Sequence, residues 1–118
     1  MADNESEWFS VRCIFRARSN KPWGPQHLKP GESAYEERIT LWQAESADEA
    51  IRLAEDDARI YETQIEVEYV GLAQSNRLPG PVEQGAEVFS LIRTSELRPA
   101  DYLDRFFDTG RESQVSTE

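Results

Sequence analysis

The sequence predicts an α+β domain with element order ββαββα: a four-stranded antiparallel sheet in spatial order 2-1-3-4, one helix on a face, and a short C-terminal helix. Three observations carry this. Residues 8–15 alternate with period two, Ser46 opens an apolar stripe of helical period, and further alternating runs follow at 65–75 and 86–93. With strand one between strands two and three, all neighbours run antiparallel, and the helix joining strands two and three crosses one face.

The first strand is read from Phe9, Val11, Cys13 and Phe15 on one parity against Ser10, Arg12 and Arg16 on the other. Residues 19–34 hold three prolines, two glycines and no periodicity, so they form a loop. The second strand, Tyr35 to Ala44, puts Tyr35, Glu37, Ile39 and Leu41 on one parity and Glu36, Arg38, Thr40 and Trp42 on the other. Ile39 and Leu41 are expected to face the helix. Glu37, inward on this reading, needs a partner from Arg12, Arg38 or Arg93 at a strand end or bulge.

Ser46-x-x-Glu49 is a capping box, and Ala47, Ala50, Ile51, Ala54, Ala58 and Tyr61 follow at helical spacing. Asp48 and Glu49 suit the positive helix end, and Glu55, Asp56 and Asp57 are expected to form an acidic outer surface. The third strand is read over 65–75, where Gly71 marks a bulge or a close backbone approach. The fourth is read over 86–93, with Val88 and Ile92 opposed to Phe89 and Leu91. Pro99 starts the last helix, with Tyr102, Leu103, Phe106 and Phe107 as its stripe and Gly110 as its stop.

The chain has 118 residues, room for one domain over 7–110, with flexible tails expected at 1–6 and 111–118. Hydrophobic residues are only 38% of it, but three Trp, four Tyr and five Phe supply a core. The net charge of -10 disfavours nucleic acid and anionic membranes as partners. No run of about 18 apolar residues is present, and residues 1–7 do not resemble a targeting signal, so a cytoplasmic protein is expected. Cys13 is the one cysteine, which excludes an internal disulfide.

No motif carries chemistry. His27 lies in the Pro/Gly loop while Cys13 sits on the inward parity of a strand, which argues against a nucleophile–base dyad. One Cys and one His cannot build a structural zinc site, and Gly80 and Gly85 do not flank a strand-to-helix turn. Glu36 and Glu37 are adjacent in a strand and point to opposite faces, unlike an acid/base pair. No cofactor and no enzymatic activity are expected.

The sheet face away from the first helix is the informative feature. By parity it carries Trp8, Ile14 and Trp42, with Val70, Leu72, Phe89 and Leu91, and an apolar surface of that kind seeks a cover. The second helix, the loop carrying Trp23 or a second subunit could supply it. The interaction surface is assigned to Trp8, Arg12, Ile14, Arg38 and Trp42, an aromatic centre with a charged rim.

The stretches WFSVRCIF (8–15), YEERITLWQAESADEAIRLAE (35–55), YVGLAQ (69–74), EVFSLIR (87–93) and YLDRFFDTG (102–110) together resemble a bacterial family of small proteins known as domain of unknown function 4288. The resemblance covers roughly residues 8–110. It implies a bacterial cytosolic protein of about this length and carries over no activity and no catalytic residue. The leading expectation is a non-enzymatic interaction domain that forms a homodimer or binds a protein partner through the second sheet face. An acidic inhibitor or immunity-type protein, docking its helix on a basic partner such as a toxin, is one alternative. A small-molecule site lined by Trp8, Trp42 and Arg38 is another.

Overall fold

In the computed structural model, which describes residues 7–18, 23, 28–107 and 109–112, the first alternating run becomes strand β1 (Glu7–Ala17). Its odd-numbered residues Phe9, Val11, Cys13, Phe15 and Ala17 are buried, as period two requires of a strand with one core face. Strand β2 (Ala34–Ala44) pairs antiparallel with all of it, from Glu7 opposite Ala44 to Ala17 opposite Ala34. Strand β3 (Glu68–Arg77) pairs antiparallel along the other side, so the sheet order is β2-β1-β3. The expected tail at 1–6, residues 113–118 of the expected tail at 111–118, and His27 lie outside the described residues.

Helix α1 (Ala47–Ile65) joins β2 to β3 across one face. Glu49 N–H donates to Ser46 Oγ at 3.1 Å, the first half of the capping box. The returning Glu49 carboxylate accepts from Glu45 N–H at 2.7 Å, one residue earlier than the standard motif. Ala50, Ala54 and Ala58 are the buried stripe, and their small side chains let the helix lie close to the sheet. Ile51, Leu53, Tyr61 and Ile65 pack around them, so Ile65 ends the helix rather than starting the third strand. The chain turns at Glu66, a left-handed residue whose N–H is not wasted: Val67 N–H and the cap both return to Glu62 O.

Gly71 marks a bulge. Between the pairs Cys13–Ala73 and Phe15–Tyr69, β1 has one residue and β3 has three, Val70, Gly71 and Leu72. Gly71 takes φ +90° with open space where a Cβ would stand, so it serves the backbone turn and not a close approach. Because two extra residues are inserted, side-chain parity is preserved across the bulge.

Two expectations fail in the last third of the chain. Residues 86–93 form no strand, so the sheet has three strands, not four. Among the described residues, no backbone group from Glu87 to Glu96 bonds to another backbone group. After Leu78, whose N–H donates to Trp8 O, the Pro79–Pro81 turn leads the chain away from the β3 edge and onto the sheet face, where Phe89 lies under the Arg12 guanidinium at 4.9 Å. Alternation reports an extended chain with two kinds of side; it does not supply an edge to pair with.

Helix α2 (Pro99–Phe106) forms with Pro99 in its first turn, as expected, but it packs on no strand and not on α1. It therefore does not cover the sheet. Its contacts are local: Arg93 donates to Tyr102 Oη at 3.2 Å and lies over the Phe106 ring at 4.4 Å.

Candidate functional site

The two faces of the sheet divide the residues first assigned to one surface. Cross-strand partners share a face, and Phe9, Cys13 and Phe15, which face α1, stand opposite Trp42, Arg38 and Glu36. Arg38 and Trp42 are therefore on the helix side. Trp8, Arg12 and Ile14 stand on the other face, opposite Gln43, Ile39 and Glu37. The parity assigned to β2 is thus reversed: Ile39 and Leu41 point away from the helix.

The cause is a polar cluster under the helix. Arg38 bonds Asp57 at 3.0 Å and stacks on Tyr61 at 4.0 Å. Tyr61 donates to Glu36 at 2.7 Å and accepts from Trp23 Nε1 at 3.3 Å. Glu36 and Arg38 are two apart in a strand, ~6.8 Å, and Asp57 and Tyr61 are four apart in a helix, ~6 Å, so the two pairs fit one another. That matched spacing of opposite partners is the signal the apolar parity obscured. Trp42 remains partly buried against the core, with its Nε1 on Thr40 Oγ1 at 2.7 Å.

Further along, Tyr69 donates to Glu55 at 2.6 Å. Burial, and then the acceptor carboxylate, push the hydroxyls of Tyr69 and Tyr61 above the usual phenol range. Burial likewise raises the Cys13 thiol, which keeps it protonated and unreactive. Glu55 and Asp57 thus turn toward the sheet and are bonded there, so the acidic outer helix surface shrinks to Asp56 among those three. Each carboxylate of the cluster accepts from a named donor, and the arrangement braces the helix on the sheet.

The opposite face is open. Tyr35, Ile39 and Leu41 from β2, with Val70 and Leu72 from β3, are each between 37% and 61% exposed. Between them Arg12 ties the three strands, bonding Glu37 at 3.0 Å on one side and Gln74 at 3.2 Å and 2.5 Å on the other. Glu37 thus finds one of its expected partners, though on the open face and not at a strand end. Arg16 bonds Glu68 at 2.5 Å and 2.8 Å. The charges of this face are neutralised in pairs while its large apolar groups stay in water.

Of the three covers, Trp23 does not supply one, since it is buried on the helix side beside Tyr61. The C-terminal arm covers only the centre. Phe89 meets Arg12, and a cavity of ≈ 40 Å³, roomy enough for water, lies between Asn76–Pro79 and Glu87–Ser90. Ser10, on this face between Leu41 and Asn76, is buried with no partner for its Oγ. The arm returns to the body at Arg111, which contacts Glu32, so the start of the expected C-terminal tail is tied down.

Among the described residues no group of three or more His, Cys, Asp or Glu side chains gathers as metal ligands, and no helix is long and apolar enough to cross a membrane. Fold and surface define a small α+β domain: a three-stranded antiparallel sheet, covered by one helix and apolar on its other side. The family model described as domain of unknown function DUF4288 matches residues 8–90, and the chain belongs to that family. No curated protein and no solved structure matches it. The matched segment holds the sheet, α1 and Phe89, and stops before α2.

Proposed function

We propose that this chain is a non-enzymatic protein-interaction domain that self-associates through the open face of its sheet. The observation that carries the reading is the group Tyr35, Ile39, Leu41, Val70 and Leu72, large apolar side chains left in water around ion pairs that are already satisfied. Apolar side chains on the outer strands, flanking charges of the central strand that are already paired, are what a protein partner can desolvate at least cost. Trp8, Arg12 and Ile14 belong to this surface, and Ile39 and Leu41 take the roles first given to Trp42 and Arg38. The same reading sets the protein in the bacterial cytoplasm, where a lone reduced thiol such as Cys13 persists.

The self-association reading draws more support from the side-chain geometry than its two competitors do. Docking by an acidic helix face needs Glu55 and Asp57 outward, and both are bonded under the helix. A pocket of Trp8, Trp42 and Arg38 needs one face for residues that occupy two. Light scattering across a concentration series tests the proposal. The wild type is expected to have a dimer mass and Ile39→Glu a monomer mass with an unchanged circular dichroism spectrum. A wild type that stays monomeric throughout the series overturns self-association.

A further inference from the structure

We infer that the surface covering the open face is α2 of a second copy, the two chains exchanging arms about a twofold axis. This rests on the self-association just proposed and names the element that makes it. Its basis is that one chain carries two incomplete structures that complement each other.

The first is α2 itself. Eight residues, ~12 Å of helix, are too few to hold a helix in water without packing, since isolated helices below about 12–15 residues are marginal. Yet α2 packs on no other helix or strand, and it buries no residue. Its apolar stripe, Leu103, Phe106 and Phe107, is 36% to 53% exposed. The Tyr102 and Phe106 rings lie 4.7 Å apart and Arg93 stands over Phe106 at 4.4 Å, so the stripe is pre-ordered. The second is the sheet face, whose apolar residues on β2 and β3 flank the strip that Phe89 covers.

The arm is fastened to its own body at both ends, by Phe89 at Arg12 and by Arg111 at Glu32, while α2 between these anchors touches neither sheet nor α1. A helix held off its own body with its apolar stripe exposed is presented outward. A second copy supplies both the face that α2 needs and the helix that the face needs. Twofold exchange makes each contact twice, which a ~12 Å helix requires to approach the area of a stable interface.

The experiment is subunit complementation on the full chain. Phe106→Glu removes the arm contact and leaves the face intact; Ile39→Glu does the reverse. Neither residue is buried in one copy, so both variants are expected to keep the wild-type spectrum and melting behaviour as monomers. Mixed in equal amounts, they are expected to associate more weakly than the wild type but more tightly than either variant alone, since the mixed pair keeps one of the two arm–face contacts and each variant alone keeps none. Phe106→Glu remaining dimeric while Ile39→Glu is monomeric would overturn arm exchange and leave self-association through the face standing. A mixture that associates no more than either variant alone, up to the highest concentration at which both stay in solution, would also overturn it. A monomeric wild type would remove both readings. If Phe106→Glu melts well below wild type, Leu103→Ser serves as the milder arm variant, with the same mixing readout.

Discussion

Trp42 shows how far a single side chain's role depends on which way its strand is turned. Two residues from Thr40, whose hydroxyl it bonds, and opposite Phe9, it fills the rim of the helix-side core. An aromatic residue that shares a strand parity with Glu36 and Arg38 reads equally well as a surface hot spot, and only the Arg38–Asp57 and Tyr61–Glu36 bonds fix it inward. Trp42→Glu is therefore expected to act on stability and not on association. Removing the indole and forcing a carboxylate against the core should cost ~3 kcal/mol or more by chemical denaturation. The folded fraction should keep the wild-type mass, the opposite of the pattern expected for Ile39→Glu. Cys13 was legible at this scale: its parity alone made it a small buried hydrophobe, and it is one.

At the scale of elements, β1, β2, α1 and the core of β3 were legible because each bears a complete local signal: alternation, a capping box, a glycine in a strand. The third-strand glycine is the sharpest case, since Gly71 sits at φ +90° in a two-residue bulge. Space for a methyl group exists there, so Gly71→Ala tests the backbone alone. It should destabilise the domain by ~1–3 kcal/mol, the cost of holding a non-glycine residue in that region. A thermal melt measures it; a loss below half a kcal/mol would mean that the bulge relaxes to another register. The fourth strand was not legible as absent. Its alternation is real, but strand identity is a property of pairing, and the Pro79–Pro81 turn sends the segment over the sheet face and not along the β3 edge.

For the molecule as a whole, the covered side of the sheet combines hydrophobic burial with protonated groups held from water. Cys13, Tyr61 and Tyr69 all titrate above their usual values in the folded chain, chiefly through burial. The sign follows from linkage. Below about pH 8.5 these groups are neutral in both states, and their stabilisation is fully present. Above it, the unfolded thiol and then the unfolded phenols lose protons that the folded groups retain, so stability falls as pH rises. The melting temperature should decline steadily from about pH 9 to 11, and Tyr69→Phe should flatten that decline while starting from a lower value, since Glu55 loses its donor. A pH-independent melting temperature over this range would contradict the burial assigned to these groups.

The amino-acid sequence by itself determined the α+β class, the buried stripe of β1, the cap and length scale of α1, the bulge at Gly71, and membership of the family, because these rest on interactions between residues near in sequence or on one strand's own alternation. Tertiary structure alone decided which face of β2 is wet, that residues 86–93 form no strand and bring Phe89 over the sheet face, and that α2 packs on no described strand and not on α1. Those outcomes depend on partners far apart in sequence: Arg38 with Asp57, Phe89 with Arg12, Arg111 with Glu32. In β2 hydrophobicity selects the parity of Ile39 and Leu41, and that parity is the wet one. The choice falls to a few half-buried polar groups that find bonds on the helix side, and whether those bonds exist is known only once helix and sheet have met.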